Sequence, residues 1–144
     1  MRHNRKGKRE GKEKGQSLTE VALVLPVVLL ILAGVLDLGR LYYVTVALTD
    51  AAGEGAAYAA INPSDIQGAR ARAQAASGGM VQIEADEVTV ICPGGCADIA
   101  AGMPITVTVG YDFTVATPVI NAIVPDGVIR LRGIASESVL TGGM

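Results

Sequence analysis

The chain has 144 residues, half of them apolar, with one Phe, four Tyr and no Trp. That length suits one compact domain plus an anchor, with a thin core of Val, Ile, Leu and Ala. The net charge of −2 hides a divided chain: Arg2, Arg5, Lys6, Lys8, Arg9, Lys12 and Lys14 crowd the start, no Lys follows, and the remainder is acidic; with no aromatic or further basic surface, no nucleic-acid partner is expected.

Residues 1–15 form a basic, Gly-punctuated leader without apolar periodicity, expected to be disordered through Lys14 and to be removed. Gln16 to Ile61 reads as one long helix of about 70 Å, at ~1.5 Å per residue. Its stretch from Val21 to Leu36 carries no charge. This is a membrane candidate, extended to about 18–44 by Leu18 and by Leu38, Leu41, Tyr42, Tyr43 and Val44. The basic head before it favours a cytoplasmic N-terminus and an acidic remainder outside. Pro26 is tolerated in a spanning helix. A cleaved secretory signal needs a small-x-small site directly after the apolar core, and the nearest, Ala57-Tyr58-Ala59, comes far too late. A retained anchor in contact with the lipid bilayer is expected.

Two charged features mark the ends of this segment. Glu20 lies at its entrance, where an unpaired carboxylate in lipid is costly. It pairs there with an ammonium group of a neighbour, or sits at the interface, satisfied by the helix dipole and headgroup water. Asp37 and Arg40, at i and i+3, are placed to pair at the outer boundary. Beyond them Ala47, Ala51, Gly55 and Ala59 recur every four residues, beside a second row of Ala52, Ala56 and Ala60. Such a surface suits close helix packing between subunits, or packing on the chain's own sheet.

Asn62-Pro63 ends the rod. Ser64 is the expected N-cap of a second helix over Ile66–Ala76, closed by Gly78-Gly79. The β-branched run Val81–Ile91 predicts a strand ending at the Pro93-Gly94-Gly95 turn. Pro104–Val115 alternates strictly, with Ile105, Val107, Val109, Tyr111, Phe113 and Val115 on one face. After the break at Thr117-Pro118, Val119–Val124 is a short apolar piece. A last strand follows over Val128–Leu140, with Ile129, Leu131 and Ala135 inward. The fold class is therefore α+β: a long N-terminal transmembrane helix, a short second helix and a small antiparallel sheet of three or four strands. Residues 62–144 form the extracytoplasmic domain.

Little catalytic chemistry is on offer. The only His is His3, in the leader, so Ser and Cys have no base within reach. No phosphate-binding Gly loop opens a helix. Neither an enzyme nor a cofactor or metal site is expected. Cys92 and Cys96, with three residues between them in the exported part, lack the spacing of a redox pair and further metal ligands, so a disulfide is expected.

The stretch Gly15-Gln16-Ser17-Leu18-Thr19-Glu20, between a basic leader and an apolar helix, looks like the type III signal sequence of type IV pilins and pseudopilins. Continued as LDLGRLYY and AAGEGAAYAA, it closely resembles the TadE-like family, minor pseudopilins of the tight-adherence (Tad/Flp) pilus. The later segments VTVTVGYDFTVATPV and IRLRGIASESV are more loosely similar. The resemblance implies cleavage by a prepilin peptidase between Gly15 and Gln16, and Glu20 as the assembly glutamate. It also implies inner-membrane residence and partners among other pilins, pseudopilins and the Tad assembly platform. Major Flp pilins carry Glu-Tyr where this chain has Glu20-Val21, which argues against a filament-body subunit. The competing reading is a membrane-anchored extracytoplasmic binding module that no peptidase trims. A Tad-system relative of the TadF or TadG type is a third, though the chain is short for the longer forms.

Overall fold

The computed structural model describes residues 10–79, 81–118 and 124–140, with side chains from residue 16 onward. Helix α1 (Glu10–Ile61) is 52 residues long and contains Pro26 without ending there. It starts ahead of Gln16, so the end of the leader is helical rather than disordered. Its Glu and Lys residues are good helix formers, and nothing between Glu10 and Lys14 except Gly11 opposes propagation. Residues 1–9, including the rest of the leader, lie outside the described residues.

Helix α2 (Ile66–Ala76) folds back on α1 after a tight turn. Asp65 is its N-cap, one position later than Ser64, the expected cap. The aspartate's Oδ1 accepts the Gly68 N–H at 2.9 Å, while Oδ2 accepts the Tyr58 hydroxyl at 2.7 Å. A single carboxylate thus closes α2 and fastens it to α1, which a serine at position 64 is not placed to do. Gly78, at φ 57°, ends α2 in the left-handed region that Gly occupies without penalty.

Three strands form one antiparallel sheet in the order β1 (Val88–Ile91), β2 (Pro104–Thr114), β3 (Val128–Ser138). The expected strand from Val81 is thereby cut short. Val81 and Ile83 are buried, but they serve the core without joining the ladder, and a 3₁₀ turn at Ala85–Glu87 separates them from β1. The Gln74 amide holds this segment by donating to the Ile83 carbonyl at 2.9 Å. Strand β3 stops at Ser138, and the backbone of Val139 turns aside to bond Met103 and Gly102. The apolar piece expected over Val119–Val124 lies, apart from Val124, outside the described residues.

In β2 the alternation is realised as expected. Ile105, Val107, Val109 and Phe113 are buried, while Asp112 and Thr114 face water. The register Val107↔Ala135, Val109↔Gly133 and Phe113↔Ile129 places the inward residues of β3 on the same face. That face receives α1. Along the helix Val44, Leu48, Ala51, Ala52, Ala56, Ala59 and Ala60 are buried, an i, i+4, i+7 stripe that meets the sheet and α2. The small-residue rows therefore pack within the chain itself. At Gly55 an added Cβ would lie 3.1 Å from that of Ala73 and 3.3 Å from Val107, so the two helices and the sheet converge there.

The closest approach is at Gly133, where β3 crosses α1. A Cβ there would collide with the Leu48 carbonyl and stand 2.7 Å from the Thr49 nitrogen. Backbone cannot retreat as a side-chain tip can. Gly133→Ala is expected to cost about 1–3 kcal/mol or more by overpacking, read as a lower urea midpoint of the detergent-solubilised protein.

The Asp65 cap gives the domain an acid limb. Its bonds from Gly68 and Tyr58 hold the carboxyl below its ordinary value, and the bond to Asp65 pushes the Tyr58 hydroxyl up. A depressed carboxyl contributes stability that is present above its unfolded value, near ~3.9, and lost as pH falls through the folded one. A raised tyrosine contributes below ~10 and loses that contribution as pH climbs through its folded value. Asp65→Ala should therefore lower Tm at neutral pH, and the gap from wild type should narrow as pH falls beneath the ordinary carboxylate range, in thermal melts across the acid range.

Candidate functional site

The functional region is α1 itself, which divides at Asp37. Before that point the described residues leave it largely uncovered: Leu18, Leu23, Leu29, Ile31, Val35 and Leu36 are each more than half exposed. Among the described residues one helix, Gln16–Ile61, is long and apolar enough to cross a membrane, and its most apolar window is almost wholly bare. A core helix of a water-soluble protein buries such a face. Here the apolar residues go all the way round and protrude from the domain, as lipid-facing surface does.

Gly15 and Gln16 lie within α1 with no chain break or turn between them. Glu20 projects from the bare part, in a shallow apolar groove with Val21, Val24, Leu25 and Val28. No ion pair to it forms among the described residues.

The Asp37–Arg40 pair is present, with Arg40 Nη1 3.6 Å from Asp37 Oδ1, but it is the lesser part of the site. Asp37 is only 6% exposed. Its carboxylate reaches the chain eighty residues on, where Oδ2 accepts the Thr117 N–H at 2.7 Å and also the Thr117 hydroxyl. Oδ1 accepts the Ala116 N–H at 3.4 Å. The acid expected at an exposed membrane boundary instead clasps the end of β2 to the helix. Arg40 lies outside this clasp, 58% exposed at its side chain, with its guanidinium 5.4 Å from the Phe113 ring centre.

Leu41 and Val44, read from the sequence as part of the spanning stretch, are packed against the domain. The fully bare length therefore ends near Leu36; beyond it one side of the helix is covered while Leu38 and Tyr42 stay exposed. Sequence reading missed Thr117 and Ala116, seen only as a strand break. The available signal was phase: Asp37 stands at i, i+4, i+7 with Leu41 and Val44, on the buried stripe, where a carboxylate needs donors from elsewhere.

Cys92 and Cys96 form a disulfide with S–S 2.03 Å and Cα atoms 5.1 Å apart, closing the turn after β1. On the far face of the sheet, Arg130 donates to Glu87 at 2.9 Å and lies 3.6 Å from Asp112. Among the described residues no cluster of His, Cys, Asp or Glu is arranged to hold a metal ion.

These features define a class: a single candidate membrane span continuous with the core helix of a small α+β domain. Residues 15–57 match the TadE family, described as TadE-like protein. The likeness seen in the sequence is thus shown over the bare half of α1, the clasp residue and most of the small-residue stripe. Neither a curated protein nor a solved structure matches the chain.

The clasp makes a local prediction. Removing the Asp37 carboxylate by Asp37→Ala leaves the Thr117 N–H without its acceptor. Exchange of the Thr117 and Ala116 amides should then speed up by about tenfold or more, while the Val107 amide in mid-sheet stays protected, as hydrogen exchange read by NMR will show.

Proposed function

We propose that the chain is a TadE-like minor pseudopilin that takes part in assembling a Tad/Flp pilus. In this reading α1 spans the inner membrane once, with its basic leader in the cytoplasm and the sheet domain outside. A prepilin peptidase cuts between Gly15 and Gln16. The new ammonium of one subunit then pairs with Glu20 of another, and the bare apolar helix packs among pilins, pseudopilins and the assembly platform. No catalytic group, cofactor or nucleic acid enters the mechanism.

The observation that carries the reading is the state of α1. Its second half is locked into the domain, its first half is bare, and the carboxylate at the head of the bare half has no partner within the described residues. An ion in an apolar setting without a counter-ion is costly enough to demand one from another molecule. The match over residues 15–57 supports the family side of the argument.

Two experiments test it. N-terminal sequencing of membrane-extracted protein should give Gln16 as the first residue, and Gly15→Leu should abolish that cut. A wild-type N-terminus still beginning at Met1 or Arg2 favours the anchored binding module instead. Glu20→Ala should leave the protein in the membrane fraction while lowering pilus number by about tenfold or more, the scale of losing one partner from a low-dielectric pair. Undiminished piliation by that variant refutes the pairing.

A further inference from the structure

We propose that the groove beside Arg40 is a binding site for the phosphate headgroup of an anionic phospholipid, in the leaflet next to the sheet domain. The proposal rests on α1 crossing the membrane and specifies what the domain does at the lipid surface. Asp37 is the first charged side chain after the bare apolar run, and the domain covers it. The hydrocarbon boundary therefore falls near Leu36, and Arg40, one turn further at ~1.5 Å per residue, stands at headgroup depth.

A groove of about 650 Å³ opens there between α1 and β2. Val35 and Leu36 line its membrane end, Phe113 its sheet wall, and Arg40 and Tyr43 its outer part. An added Cβ at Gly39 would meet nothing within 4 Å, so the helix side of the groove is open. Apolar walls toward the hydrocarbon and a cation one turn above follow the polarity of a phospholipid, acyl chain below and phosphate above.

Arg40 keeps its N–H donors free of any hydrogen bond to Asp37, although the two are paired through charge. Both Asp37 oxygens are occupied by Thr117 and Ala116, and Arg40 stands 3.6 Å off, too far for a hydrogen bond. Phe113 lies against the guanidinium 5.4 Å away and steadies its plane without using its N–H groups. A guanidinium held by a ring at headgroup depth, with donors to spare, fits a phosphate in the bidentate manner. Arg132 on the far face of the sheet is a cation of the same kind without a span beside it, and so serves as control.

The test uses the full chain reconstituted in nanodiscs of phosphatidylcholine containing increasing phosphatidylglycerol. Phosphatidylglycerol enrichment around the protein is read by native mass spectrometry of the lipids it retains on release. Wild type should retain phosphatidylglycerol, Arg40→Gln should lose about tenfold of that preference, Arg40→Lys should keep part of it, and Arg132→Gln should match wild type. Equal retention by wild type and Arg40→Gln overturns the site, as does an equal loss in Arg132→Gln, which would mark mere surface charge. Near-UV circular dichroism of each variant confirms that the domain is folded. Failure of the chain to float with vesicles after alkaline carbonate would instead remove the span reading, a result separate from any lipid preference.

Discussion

A single unbroken helix must satisfy two surroundings, and the handover between them falls within one turn. Up to Leu36 the helix needs apolar side chains on every side. From Leu41 onward it needs a narrow stripe of small ones, so that a sheet and a second helix can come close. Asp37 stands at the join. A buried carboxylate is tolerated only where donors meet it, and here the backbone of residues 116 and 117 and the Thr117 hydroxyl supply them. The interaction ties the end of the central strand to the point where the helix leaves the domain. It fixes the membrane-side end of a sheet that the small-residue stripe holds along the rest of the helix.

The domain is small and its core is thin, so close backbone approach takes the place of bulk. Alanines on α1 and α2, Gly55, and Gly133 under the Leu48 carbonyl let main chains come within side-chain distance of each other. Packing of that kind is unforgiving of added volume, because nothing flexible stands between the elements. The polar threonines of α1's outer face turn inward on their own helix: the Thr45 and Thr49 hydroxyls donate to the carbonyls of Leu41 and Thr45. The exposed side of the helix thus becomes polar by degrees above the bare segment.

Much of this architecture was readable from periodicity. The charge-free run, the alanine spacing of four, the bounds of α2 and the strict alternation of β2 each reflect a local rule that tertiary structure did not override. The features that escaped reading are those fixed by partners distant in sequence. Asp37 resembled a boundary acid because its neighbour Arg40 is three residues away, whereas Thr117 is eighty. Val81 and Ile83 looked like strand residues because period two records burial on one side, not ladder pairing. The alanine rows left two packings open, since a small-residue face is the same surface whether a partner or the chain's own sheet covers it. Asp65 rather than Ser64 caps α2 because it stands directly before Ile66, and it also accepts the Tyr58 hydroxyl. The match to the TadE-like family over residues 15–57 covers the part of the chain where local pattern was most informative.

The continuity of α1 has a mechanical consequence. Because the helix continues without a break from the bare segment, through Pro26, to the gripped one, a face held at one end sets the azimuth of the sheet at the other. Each residue along an α-helix advances the heading by about 100°. A single amino acid gained or lost between Glu20 and Asp37 would therefore swing the sheet to a different quarter of the compass and leave its chemistry untouched. If neighbours pair with Glu20 as proposed, the count of residues between it and Asp37 matters as much as their identity.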